Sequence, residues 1–207
     1  MPNRVAIVTG AGGGIGRAVC TVLRDFATVT GQGHESLDAR KEIKSLKTDI
    51  LVCCHAAPSS DEAYRIIMAD LMLTYRLCMA VLPHMAAQGF GRIITMSSIR
   101  ASHPRSGFAA YSAAKAGVEG LTRALAVEYG PKGVLVNCVA PGAVLTPRTT
   151  ENIRRGVVSE EELKARTPTG RLTTPEEVAQ VILWLISDEC HINGQTIICD
   201  GGWSISG

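Results

Sequence analysis

The chain has 207 residues, 46% of them hydrophobic and 19% charged, with a formal net charge of +2, which suits one globular domain over residues 1–207 with a sizeable core. A charge this near balance gives no electrostatic reason to expect nucleic acid or an anionic membrane as a partner, and no run approaches the roughly 18 apolar residues of a membrane span. Seven cysteines, an odd number scattered through apolar segments without a CxxC pair, read as buried thiols of a reducing compartment; with no apolar leader ahead of the first strand pattern, the cytoplasm is the expected location.

Short β-rich runs alternate with helical patterns along the chain, which argues for an α/β domain around a parallel sheet. Arg4–Thr9 (RVAIVT) reads as a buried strand, followed by glycines and a helix from about Gly14 to Phe26. Ala27–Thr30 is a short strand, Glu35–Leu46 a charged amphipathic helix and Asp49–Cys54 (DILVCC) another buried strand. A long helical pattern runs from about Asp61 to Met85, with Pro83 near its end, before the strand Arg92–Ser97. The helix carrying Tyr111 follows, with Val118, Leu121 and Leu125 on its buried stripe and Gly130-Pro131 as its stop. Val134–Val139 is a strand, and residues 147–170 are polar, rich in Arg and Glu, and without a clear period. Thr174-Pro175-Glu176-Glu177 has the form of a capping box, opening a helix that buries Val178, Val181, Ile182 and Leu185. Gln195–Cys199 is the last strand.

Two stretches carry chemistry. Thr9-Gly10-Ala11-Gly12-Gly13-Gly14-Ile15-Gly16 lies between a strand and a helix, where backbone N–H groups and a helix N-terminus can meet a pyrophosphate. In Tyr111-Ser-Ala-Ala-Lys115 the two reactive side chains stack one helical turn apart. A cation so placed favours the ionised form of a phenol and brings it towards acid–base work near neutral pH.

The spacing TGxxxGxG resembles that of the short-chain dehydrogenase/reductase family, and the resemblance extends over most of the chain. Tyr111 and Lys115 match its YxxxK motif, and Ser98 stands thirteen residues before the tyrosine, at the family's serine position. Asn137 through Pro141-Gly142 to Thr146 is similar to its NxxxPGxxxT segment, and the stretch from Gly170 to Asp200-Gly201-Gly202 to its C-terminal half. The resemblance implies a Rossmann-like, doubly wound three-layer α/β/α fold and hydride transfer between NAD or NADP and a carbonyl or secondary alcohol. Tyr111 is then the general acid/base, Lys115 supports the phenolate and holds the nicotinamide ribose, and Ser98 fixes the substrate oxygen. The cofactor-binding set is Gly10, Gly12, Gly14, Ile15, Gly16, Ala56, Tyr111, Lys115, Pro141, Gly142 and Thr146, with Thr146 facing the nicotinamide amide. The long helices at 61–85 and 109–129 resemble the family's dimer-forming pair, which implies a homodimer or homotetramer.

Three departures from the family pattern stand out. Where the family has Asn-Asn-Ala-Gly, this chain has Cys53-Cys54-His55-Ala56-Ala57; no metal is read here, because neighbouring strand residues point to opposite faces. Asp70 takes the position of the family's catalytic asparagine, whose backbone carbonyl serves a water path to the lysine. Its carboxylate would also favour a charged Lys115, the alternative being an Asp packed at a helix irregularity. Between Gly16 and Asp49 there is room for one short strand and one helix, so about one βα unit of roughly 30 residues is missing. In the family's sheet order, 3-2-1-4-5-6-7, the lost strand is an edge, so six strands are expected with the second as the new edge. Thr30-Gly31-Gln32-Gly33-His34 shows neither acidic nor basic selector for the adenosine ribose; Arg17 and His34 (for a 2′-phosphate) and Glu35 and Asp38 (for a 2′-hydroxyl) leave NAD and NADP both open. Substrate contacts are expected from residues 99–110 and 147–170, where Arg100, His103 and Arg105 suit an acidic group or form a solvated loop. Other readings on the same scaffold are a non-redox binding or regulatory protein, and a lyase or cyclase using Tyr111 without hydride transfer.

Overall fold

Alternation with period two builds the centre of the molecule. In a computed structural model that describes residues 4–32, 47–57 and 61–206, Ala6 and Val8 of strand β1 (Arg4–Thr9) face one side of a parallel sheet and Ile7 the other. The same alternation sends Ile50 and Val52 of β3 (Ile50–Cys53) to the first side and Leu51 and Cys53 to the second. Both faces are covered, as a wholly parallel sheet requires. Helices α1 (Gly14–Leu23) and α7 (Pro175–Leu185) close one face through Val19, Leu23, Val178, Ile182 and Leu185. Helices α3 (Leu73–Gln88) and α4 (Ala109–Tyr129) close the other through Leu77, Val81, Leu82, Met85 and Leu125.

With β2 (Ala27–Gln32), β4 (Gly91–Met96), β5 (Val134–Pro141) and β6 (Thr196–Cys199), the sheet has six parallel strands among the described residues, in the order β2-β1-β3-β4-β5-β6. As expected from the sequence, β2 is an edge. The chain turns from β1 outward to β2 and then back across to β3, so the crevice between the carboxyl ends of β1 and β3 is the switch point where open α/β sheets bind ligands. The expected helix Glu35–Leu46 lies outside the described residues.

Two features depart from the sequence reading. The long helix is interrupted: α2 (Ala63–Ile67) passes through a π-helical turn, Met68–Met72, before continuing as α3 to Gln88. By length and composition Ala63–Gln88 could cross a membrane, yet its Leu77, Val81, Leu82 and Met85 pack on the sheet. Segment 147–170 holds two short helices, α5 (Pro147–Arg154) and α6 (Glu160–Ala165). Neither buries a residue, so no apolar period marked them. Their signals are the caps Thr146 and Ser159, whose hydroxyls accept from Thr149 N and Glu162 N at 3.2 Å, and the ion pairs Glu151–Arg154 and Glu160–Lys164 at 2.7 Å.

The capping box is formed as read: Thr174 Oγ1 accepts from Glu177 N at 3.2 Å, and Glu177 accepts from Thr174 N at 2.8 Å. The Arg171 guanidinium, with Thr174 N–H, holds the Glu177 carboxyl down to about 2. Because α7 supplies much of one face of the core, Thr174→Ala should lower stability by about 1 kcal/mol, read as a shift in the midpoint of chemical denaturation.

Candidate active site

The glycine turn is shaped by what it must pass. Gly10 has φ +65°, and a Cβ there would come within 2.7 Å of the Cys54 carbonyl and His55 N, so only glycine lets β1 turn this close to the end of β3. A Cβ on Gly16 would run into the Gly10 carbonyl, which fixes α1 directly against the turn. Gly12 is different: a Cβ there would meet nothing within 4 Å. Helix α1 starts after Gly13 with no side-chain cap, leaving its first N–H groups for something other than the protein.

Across the cavity, β4 and α4 are tied together by their polar side chains. Thr95 Oγ1 and Thr122 Oγ1 are 2.7 Å apart, and Ser97 Oγ donates to Glu119 Oε1 at 2.8 Å. Lys115 Nζ donates to the Met96 carbonyl at 3.0 Å, stands 3.2 Å from Asp70 Oδ2, and lies 5.5 Å from the centre of the Tyr111 ring. Lys115 and Asp70 are 2% and 1% exposed, so neither charge is shared with bulk water. Burial works against the Lys115 ammonium, but the opposing charges of Tyr111 and Asp70 outweigh it and hold the amine above its ordinary pKa. Ser98 Oγ accepts from Arg100 N at 3.2 Å. Its acceptor side is thereby engaged and its own proton remains to donate.

Asp70 sits in the π-helical turn, where its Oδ1 accepts from Ala57 N at 2.7 Å. Its carbonyl is taken by the Thr74 hydroxyl at 2.7 Å, so it is the carboxylate that faces Lys115. His55 continues the chain of contacts, with Nδ1 2.6 Å from Thr9 Oγ1 and Nε2 3.2 Å from Thr74 Oγ1. Since the Thr74 proton goes to Asp70 O, Nε2 is the protonated nitrogen and Nδ1 accepts from Thr9. Cys53 packs on the α3–α4 side and Cys54 on the α1 side, which separates the adjacent thiols as strand geometry demands. Burial pushes the Cys54 thiol up to about 12, so it is an inert neutral wall.

These elements enclose a cavity of about 330 Å³. Of the residues singled out from the sequence, Gly10, Gly12, Gly14, Ile15, Gly16, Ala56, Ser98, Tyr111, Lys115, Pro141, Gly142 and Thr146 all line it, and Asp70 lies behind Lys115. Thr146 has a second task as the cap of α5, and its side chain lies where a Cβ on Gly14 would fall, 2.9 Å away. Arg148 and Thr149, from the segment 147–170 expected to meet substrate, also line it, with Arg148 Nη1 reaching the Ala57 carbonyl at 3.4 Å; Met96, Ser97 and Val144 were missed by sequence reasoning. Position next to Ser98 and next to the Pro-Gly segment was the available signal. His34, Glu35 and Asp38 lie outside the described residues; Arg17 Nη2 folds back to the Gly12 carbonyl at 3.4 Å. The open space over Gly12, the uncapped α1 N-terminus and the buried cation fit a dinucleotide.

Comparison with known proteins agrees with this geometry. Residues 48–204 match the family model described as enoyl-(acyl carrier protein) reductase. The 3-oxoacyl-[acyl-carrier-protein] reductase FabG of Pseudomonas aeruginosa is 32% identical over 248 aligned positions, spanning 100% of this chain and 99% of its own. A crystal structure of a short-chain dehydrogenase/reductase family oxidoreductase from Burkholderia thailandensis superposes with TM-score 0.86 at 29% identity, covering 100% of this chain and 94% of that one. A variant of actinorhodin polyketide ketoreductase with NADPH gives TM-score 0.88 at 27% identity, covering 98% and 97%.

The two glycines make opposite predictions. Gly10→Ala should cost at least about 1–3 kcal/mol from the left-handed backbone alone, whereas Gly12→Ala should stay within about 0.5 kcal/mol of the parent. Denaturant midpoints of the two variants measure the difference.

Proposed function

The chain belongs to the short-chain dehydrogenase/reductase family of NAD(P)-dependent oxidoreductases, and within it we propose that this protein interconverts a carbonyl and a secondary alcohol with Tyr111 as general acid/base. The observation that carries the reading is the buried Lys115 ammonium one turn from Tyr111, in the cavity that also holds Ser98 and the glycine turn. NAD or NADP would lie along Gly10–Gly16, Ala56, Pro141-Gly142 and Thr146, and supplies a hydride donor or acceptor at its nicotinamide. Both cofactors remain in the proposal; the residues after β2 that would meet the adenosine ribose lie outside the described residues.

In this reading each polar group has one job. Ser98, its oxygen held by Arg100 N–H, donates its proton to the substrate oxygen and fixes that atom beside Tyr111. Tyr111 gives its proton to the same oxygen in reduction and takes it back in oxidation. Lys115 stabilises the negative charge that develops on the Tyr111 oxygen as the proton moves. Asp70 keeps Lys115 charged, and the Met96 carbonyl aims the ammonium. A homodimer or homotetramer is also proposed, supported by the exposed apolar side chains Tyr64, Ile67 and Tyr75 along α2–α3 and Val127 on α4.

Tyr111→Phe should lower carbonyl turnover by about 10²-fold or more while calorimetry still detects NADH or NADPH binding; turnover at the parental rate would remove Tyr111 from the proton transfer. Asp70→Asn keeps an acceptor for Ala57 N but deletes one of the charges that raises the Lys115 pKa. The ammonium should therefore be lost at lower pH, and the alkaline limb of the kcat/KM profile should move down, with activity near neutral pH largely kept. Sedimentation should show a species of at least twice the chain's mass.

A further inference from the structure

A second cavity, of about 660 Å³, is lined in part by the turn that follows Ser98. Three arginines from two distant parts of the chain line it: Arg100 and Arg105 after β4, and Arg166 at the end of α6. Its floor is Trp203, 6% exposed, with the guanidinium carbons of Arg100 and Arg166 at 4.9 Å and 4.5 Å from the ring centre and His103 edge-on at 5.8 Å. Trp203 is held there by the turn at Asp200, whose carboxylate accepts from Gly202 N at 2.9 Å and Ser204 N at 2.8 Å.

None of the three arginines makes an ion pair among the described residues, although Arg154 and Arg171 nearby in sequence are held by Glu151 and Glu177. Among the described residues, Arg100 Nη1 donates only to the His103 carbonyl, at 3.1 Å. Glu162 is the carboxylate lining the cavity, against three guanidiniums. Convergent like charges around a concave, half-desolvated space repel one another, and an incoming anion relieves that repulsion. Burial first, and then the charges of Arg105 and Arg166, hold the Arg100 pKa below its ordinary value, while Tyr111 is near enough to oppose them. Geometry places the basic cavity beside the reacting groups: Arg100 N–H reaches Ser98 Oγ at 3.2 Å, and Arg105 lies over the Phe108 ring, which is edge-on to Tyr111.

We propose that this cavity receives an oxyanionic group of the substrate, a carboxylate or a phosphate, bound by Arg100, Arg105 and Arg166 over Trp203 while the reacting carbon lies at Ser98 and Tyr111. The inference rests on the proposed carbonyl chemistry for its second half only. Arginine forks match the oxygens of either anion, and the Trp203 face gives the adjoining part of the substrate an apolar wall.

Calorimetry on the full chain, with whichever of NADH or NADPH binds present to occupy the glycine turn, tests it with glutarate, inorganic phosphate and the neutral analogue glutaramide. Glutarate or phosphate should bind and glutaramide should not, and the tighter of the two names the anion. Arg105→Gln, at an exposed position that does not touch Trp203, and the double variant with Arg166→Gln should each weaken that binding, the double at least tenfold. Equal binding of all three probes, or binding undiminished in both variants, overturns the proposal. Rates on a panel of oxo acids and their amides separate this from the chemistry. Anion binding with no carbonyl turned over leaves the anion site standing and removes the reductase reading. Amides reduced as fast as acids, with no anion bound, does the reverse.

Discussion

A charged lysine inside the protein is the constraint around which this site is arranged. Removing an ammonium from water costs several kcal/mol even after relaxation, and Lys115 is 2% exposed. The cost is offset by the Asp70 carboxylate at 3.2 Å and the Met96 carbonyl at 3.0 Å, and both partners need support of their own. Met96 is the last residue of β4, so the lysine ties α4 to the sheet where Ser98 emerges. Asp70 reaches inward from a π-helical turn, and its other oxygen is satisfied by Ala57 N. The helix is deformed at this one place, as π-turns in longer helices often are near functional groups. Strand end, helix face and helix irregularity thus meet on a single cation.

The stretch after β3 shows how a different set of residues meets the same demands. A buried imidazole must satisfy two nitrogens, and His55 does so with Thr9 on β1 and Thr74 on α3. Thr74 passes the connection to the Asp70 carbonyl. The result is a polar chain from the first strand to the residue that pairs with Lys115. Such networks hold position well when every member is satisfied. Cys53 and Cys54, which invite a metal reading in sequence, are split between the two faces of the sheet and act as small apolar fillers.

Most of the strands and long helices were legible because burial imposes a period, and the period is written in the residues. Arg4–Thr9 alternates between two covered faces, and Val118 and Leu125 mark the inner side of α4. Elements that bury nothing left no such trace, and for this reason α5 and α6 went unseen, although Thr146 and Ser159 cap them. The π-turn at Met68–Met72 left only the hint of an Asp at a helix irregularity, and the contact it makes, Asp70 with Ala57 N thirteen residues away, is tertiary. In the site, motif spacing located Ser98, Tyr111, Lys115 and the glycines. It could not give the contact of Arg148 with the Ala57 carbonyl, which depends on where α5 begins, nor the meeting of Arg166 and Trp203 with Arg100. Those are tertiary facts.

The shortened first half bears on how binding and chemistry divide. The alignment with FabG of Pseudomonas aeruginosa needs 248 positions for a chain of 207 residues, so the relative carries residues with no counterpart here. Among the described residues the sheet closes at β2 and stays continuous from β1 to β6. An edge strand pairs on one side only, so its loss removes one ladder and leaves the neighbouring ladders unchanged. Ser98, Tyr111, Lys115 and Asp70 all come from β4, α4 and the α2–α3 turn, on the opposite side of β1 from that edge. Contacts to the remote end of a dinucleotide contribute binding energy, whereas rate depends on groups whose interactions strengthen at the reacting atoms. In the proposed reading, shortening the β2 edge therefore weighs on cofactor affinity and leaves the buried Lys115–Asp70 pair, on the other side of β1, in place.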